Sequence, residues 1–158
     1  MATTTSTLQP PSFLQPTGYK LVVRRERFPN LEFFAQSVQH PGSTVSAVEV
    51  AVPRITGLPI PGDTIGYGEL NLSLILDEDM TSYKEVQKWL EGSVYGEGNP
   101  YHDIRVIILT SHNNFCAEIL YKNCIPTQLG SIELTSTTGD VTYINFDTTF
   151  RFSEFVLS

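Results

Sequence analysis

Leu70, Leu72, Leu74 and Leu76 take every second position of Glu69–Leu76, with Asn71 and Ser73 among the residues between them. A repeat of two puts the four leucines on one face of a β-strand, whereas a helix would scatter them. Gly68 and Asp77 bound the run, so the strand is short. The same pattern recurs along the chain. Tyr19–Arg24, Leu31–Val38 and Val45–Val52 read as earlier strands, and in the third Val48, Val50 and Val52 oppose Glu49. Ile104–Ser111 is apolar on both faces and reads as a central, doubly covered strand. Phe115–Asn123 returns through the turn at His112–Asn114. Ser131–Thr137 and Val141–Phe152 read as a last hairpin through Gly139-Asp140. In its second strand Ile144, Phe146, Phe150 and Phe152 share one face, and Tyr143, Asn145, Asp147 and Arg151 the other.

One segment departs from this period. After Asp77-Glu78-Asp79, the residues Tyr83, Val86, Trp89 and Leu90 recur at helical spacing. Ser82 with Glu85 three positions later has the form of a capping box, and Gly92 the form of a C-terminal stop. The spacing predicts a short helix at about 82–91. The fold class expected is mainly β: a two-sheet antiparallel sandwich or barrel of about eight strands with one added helix.

Two stretches stand outside these elements. Residues 1–18 are rich in Thr, Ser, Pro and Gln and predict a flexible N-terminal arm, leaving 19–158 as a single domain. Pro53–Gly68 holds three prolines and four glycines, which excludes a central strand or a helix and predicts a long connection reaching a partner. The chain has 158 residues, enough for one ordinary domain. Charged residues make up only 17%, against about 25% in typical soluble domains, while Ser and Thr together number 30. That balance predicts surface covered by other subunits.

The motifs of familiar chemistry do not occur. GxSxG, HExxH, Walker and GxGxxG patterns are missing, and His40, His102 and His112 lack the spacing of a zinc site. The reading is of a protein that is not an enzyme, with no catalytic residue, cofactor or metal. Asp77-Glu78-Asp79 reads as a solvated acidic turn near the positive end of the following helix. Cys116 and Cys124 lie eight apart in one expected strand, hence on one face and about 26 Å apart, too far to bridge. Without a signal-like N-terminus, the two thiols favour an intracellular setting. No apolar run approaches the length of a membrane-spanning helix.

Charge is unevenly placed. The net formal charge is −7. Residues 41–103 hold three basic and ten acidic groups, while Lys20, Arg24, Arg25 and Arg27 cluster near the start. An acidic chain is a poor sequence-independent binder of nucleic acid. Opposite charges in separate segments suit head-to-tail contacts between copies.

The segment PIPGDTIGYGELNLSLILDEDMTSYKEVQKWLEG, Pro59 to Gly92, resembles the tail tube family of contractile-tailed bacteriophages. A Pro-Gly-Asp turn precedes an alternating strand, an acidic turn and a short helix ending in Trp-Leu. FFAQSVQHPGST, Phe33 to Thr44, is similar to the family's strand ending in Pro-Gly, and the resemblance extends from about Tyr19 onward. It implies a structural virion protein, made in the bacterial host cytoplasm, that forms a homo-hexameric ring of a tail tube or of its baseplate-proximal initiator. It implies a conduit that DNA crosses without specific binding, with adjacent tube or baseplate rings and the surrounding sheath as neighbours. A net acidic lumen would repel the DNA backbone. The interface candidates are Pro53, Arg54, Pro59, Pro61, Asp63 and Tyr67 of the long connection, Arg24, Arg25 and Arg27 of the basic cluster, and Trp89. The other readings are a neck or tail-terminator adaptor ring and a β-sandwich binding module for protein or carbohydrate, the latter with Tyr67, Tyr95 and Tyr101 as its platform.

Overall fold

A computed structural model describes residues 14, 16–23, 27–31, 35–53, 55–96, 98–136, 139 and 143–158, with backbone alone at 55 and 56. Most of the expected N-terminal arm, together with Arg24, Arg25 and Arg54, lies outside these residues. The fold is mainly β. Its elements run β1 (Tyr19–Val23), β2 (Ala35–Gln39), β3 (Ser43–Val52), β4 (Ile55–Tyr67), β5 (Leu70–Ile75), α1 (Thr81–Tyr95), β6 (His102–Leu109), β7 (Phe115–Leu129), β8 (Asn145–Arg151) and β9 (Glu154–Leu157).

Two sheets share one strand. The first half of β7 lies between β6 and β9, with β1 beyond β6. The second half of β7 pairs β8, which is followed by β5 and β2. Every pairing is antiparallel. The handover occurs at a bulge: His102 faces Cys124 but Ile104 faces Tyr121, so β7 carries an extra residue there. Asn123 takes the positive φ of 54° that this bend requires. Its N–H donates to Asp103 Oδ1 (3.0 Å) and its side chain to Ser153 Oγ (3.1 Å). Ser153 N donates to Lys122 O (3.0 Å), so the break between β8 and β9 sits beside the bend in β7. Bulges of this kind let strands turn a corner between packed sheets.

The bulge corrects the cysteine expectation. An extra residue reverses the in–out alternation, so Cys116 is exposed and Cys124 buried. Burial pushes the Cys124 thiol up to about 12.

The core lies between the two sheets and the helix. Leu70, Leu72 and Leu74 are buried as their alternation requires, and Phe146 and Phe150 of β8 face them. Leu21 and Val23 of β1, Ile104 and Val106 of β6, and Ile119 and Tyr121 of β7 line the other side. β6 is central in order but covered on one face only, since Asp103 and Arg105 are exposed. Val86 and Trp89 seat the helix on this core.

The helix exceeds its expected bounds at both ends. Ser82 is not the cap but a fully buried residue of the first turn. Met80, in the left-handed region (φ 54°), precedes the helix and offers no side-chain cap. Asp77 does that work instead, accepting from Thr81 N (3.1 Å), Ser82 N (3.4 Å) and Ser82 Oγ (3.2 Å). Gly92 lies within the helix, and the chain stops at Gly96 (φ 71°), whose N–H reaches Gly92 O. Further on, residues 131–136 form no strand. The expected last hairpin is replaced by β8 pairing with the end of β7. Residues 137, 138 and 140–142 of that hairpin lie outside the described set.

Candidate interaction surfaces

Pro53–Gly68 departs most in form from the expected long connection. It is not a loop: most of it is β4, which pairs β3 as a two-stranded ribbon separate from the main sheet. Prolines are tolerated because neither strand is central. Pro59 faces Glu49 and Pro61 faces Ala47, in a sheet where both strands are edges. The register shifts between Val45 and Ala47, and there a Cβ on Gly62 would sit 2.2 Å from Ser46 O. Only glycine fits that approach.

Cross-strand partners share a face. Val48 faces Ile60 and Val50 faces Leu58, which gathers four aliphatic side chains on one side of the ribbon. All four are exposed, Val48 at 59% and Leu58 at 55%. The opposite side carries Val45 and Ile65, also exposed, with Ala47, Pro61, Glu49 and Pro59. Apolar surface of this kind, in water on both faces, makes the ribbon a candidate contact surface.

The base of the ribbon is anchored by aromatic rings. Tyr67, the last residue of β4, packs on Phe152 (5.6 Å) and Phe155 (5.3 Å). His40, just ahead of β3, meets Phe155 edge-on (4.9 Å) and shares a hydrogen bond of 2.6 Å with the Tyr121 hydroxyl. Burial lowers the His40 pKa and raises that of Tyr121. Gly68 N donates to Gly42 O (3.0 Å) between the two legs. Beside them, in a hollow that His40 and Tyr121 also line, the Tyr19 hydroxyl donates to Gln36 O, tying β1 to β2.

The other expected contact residues are dispersed. Pro53, Pro59, Pro61 and Asp63 are exposed on the ribbon, and Tyr67 is half-buried at its base. Arg27 is exposed beside the helix, its guanidinium 5.9 Å from the Phe28 ring and lining a hollow with Lys88. Trp89 is removed from the interface candidates because it is 2% exposed. It stacks on Phe28 (4.8 Å, 21°), touches Phe150 (5.2 Å) and donates Nε1–H to Pro100 O (2.8 Å). Tyr67, Tyr95 and Tyr101 make no common platform: the first packs on phenylalanines, the second lines a hollow with Arg27 and Lys88, and the third lines one with Asp103 and Arg105.

A second surface was not anticipated. The outward face of β1, β6, β7 and β9 carries Lys20, Asp103, Arg105, Glu118, Lys122 and Glu154. Arg105 pairs with Glu118 (2.8 Å) and Lys122 with Glu154 (2.7 Å). The bond to Glu154 and its charge, with Asp103 nearby, raise the Lys122 pKa. Its signal was the odd–even alternation of β6 and β7, hidden until their register was known. Among the described residues no three His, Cys, Asp or Glu side chains are placed to hold a metal ion. Nor, among the described residues, is any helix long and apolar enough to cross a membrane.

No protein-family model matches the chain, and no curated protein sequence does. Solved structures do. A chain of the sheath/tube terminator of the extracellular contractile injection system PVC superposes with a TM-score of 0.74 at 14% identity, over 95% of this chain and 99% of that one. A chain of the PVC sheath-tube complex in its extended state gives 0.72 at 14% identity, over 100% and 98%. A chain of the anti-feeding prophage baseplate, in a six-fold symmetrised structure, gives 0.68 at 12% identity, over 96% and 97%. The fold is the one these contractile-system chains share, as the resemblance to tail tube proteins implied.

Proposed function

We propose that this chain is a structural subunit that closes into a six-membered ring, in a contractile tail tube or in the ring that starts or ends one, and that the ring is a conduit for DNA. The observation that carries the reading is the β3–β4 ribbon, whose aliphatic faces stand in water and whose base is fastened to the core. A lone domain has no use for such a surface, while a neighbouring copy or ring buries it.

The main sheet supports the same conclusion. β1 and β9 are the edges of the four-stranded sheet, and its strands alternate in direction. An even number of alternating strands lets β9 of one copy meet β1 of the next in antiparallel register, with no mismatch around a ring. Closure would remove both edges. The six-fold baseplate relative supports the stoichiometry, and the sheath, tube and terminator relatives support adjacent rings and a sheath as partners within a tail.

Negative-stain images of the concentrated protein should show six-fold rings or tubes. Tubes of indefinite length mark a repeating subunit, and single rings mark an initiator or terminator. Particles of another symmetry, or the mass of one chain at every concentration, overturn the reading.

A further inference from the structure

We infer that the outward face of β1, β6, β7 and β9 is the wall of the conduit, and that its self-cancelling charge makes it a slip surface for duplex DNA. This rests on the ring reading above. Lys20, Arg105 and Lys122 supply three positive groups, and Asp103, Glu118 and Glu154 three negative ones, so among the described residues the face has no net charge. The acid excess of the chain lies elsewhere: Glu49 and Asp63 on the ribbon, and Asp77, Glu78, Asp79, Glu85 and Glu91 at or on the helix.

The arrangement matters as much as the sum. Arg105 and Lys122 are each held by a carboxylate within 3 Å. A cation already paired has little to gain from a phosphate, because binding it requires breaking the existing bond. Alternating signs a few ångströms apart also cancel each other's field within one Debye length, about 8 to 10 Å at ordinary salt. Between the charges lie Val22, Ile107 and Leu120, half-buried aliphatic side chains that offer DNA no donors. The exposed aromatic rings of this face, Tyr101 beside Asp103 and Phe115 opposite Leu109, stand at the two ends of β6 and form no row on which successive bases could stack. Such a wall neither grips the phosphate backbone nor repels it, in contrast to the acidic lumen that the net charge suggested.

Cys116 gives a direct test of placement. It is exposed on this same face, and the other thiol is buried. In assembled rings a small maleimide should label Cys116 while a bulky polyethylene-glycol maleimide is excluded; the unassembled chain should accept both. Rings that take the bulky reagent as fast as single chains overturn the wall assignment while leaving the ring standing, whereas absence of rings fails the earlier reading instead. For the charge balance, rings of the natural chain and of the double variant Glu118→Gln, Glu154→Gln are compared for retention of a short fluorescent duplex at low salt. The variant frees two cations per copy. It should bind at least about tenfold more tightly, with an affinity that falls as salt rises. The reverse variant, Arg105→Gln with Lys122→Gln, should retain none. Equal retention by natural rings and the glutamine double variant overturns the slip-surface proposal.

Discussion

Two carboxylates beside one helix show how residue-level surroundings set opposite responses to pH. Burial works to raise the Asp77 pKa, but hydrogen bonds from Thr81 and Ser82 outweigh it and the net shift is downward. A depressed folded pKa contributes stability that is present above the ordinary carboxylate range and lost as pH falls through the folded value. Asp77→Asn removes the charge and leaves one acceptor oxygen where Thr81 and Ser82 use two, and should destabilise the fold by about 1 kcal/mol at neutral pH, with the difference fading in acid, as measured by urea unfolding at pH 7 and at about pH 3. Glu85 behaves in reverse. Burial raises its pKa, and the bond from Asn30 (2.8 Å) opposes the rise only in part. Its contribution is full below the ordinary range and lost as pH climbs through the raised value, and Oε2 is buried without a hydrogen-bond partner. Glu85→Gln keeps the Asn30 contact and should be neutral or stabilising at pH 7 by the same assay. Trp89 tests packing. Trp89→Ala should cost about 3 to 5 kcal/mol, whereas Trp89→Phe should cost less and isolate the bond to Pro100. The sequence signalled Trp89 as part of a helical stripe but could not tell a core anchor from a contact residue, because both are aromatic at that spacing.

At the scale of elements, period and punctuation were legible and register was not. Alternating leucines located β5, and helical spacing located the start of α1 to one residue and its end to four. The helix ends were misread because Ser82 with Glu85 mimics a capping box, while the true cap, Asp77, lies four residues ahead of Thr81 on the far side of Met80. The cysteines were misplaced by one inserted residue at Asn123, a position with no turn-like neighbours to betray it. The prolines and glycines of β4 argued against a strand, which holds for a central strand but not for a free ribbon. That ribbon carries its own prediction. Val48→Thr with Leu58→Thr alters exposed positions and should leave the unfolding midpoint nearly unchanged. The same variant should lose ring or tube formation, read by sedimentation; a large fall in the midpoint would instead place the ribbon in the folded core.

For the molecule as a whole, low charge and abundant Ser and Thr pointed to shared surface, and in the ring proposed above that surface is the ribbon with the β1 and β9 edges. What composition could not supply was where each sign of charge would fall, since that depends on which side chains of β6 and β7 face outward. A ring held by the ribbons should resist moderate salt, because aliphatic burial is not screened; sedimentation from low to about physiological ionic strength checks this. One consequence concerns timing. An exposed ribbon of valines and leucines is the kind of edge on which stray strands add and aggregates grow. Pro59 and Pro61 have no N–H to offer such a strand, and the chain is interrupted again at Gly57 and Gly62. On the proposed reading, a newly made subunit would thus remain unaggregated with its ribbon on display until a partner shaped to pack against the side chains, rather than to zip onto the backbone, covers it.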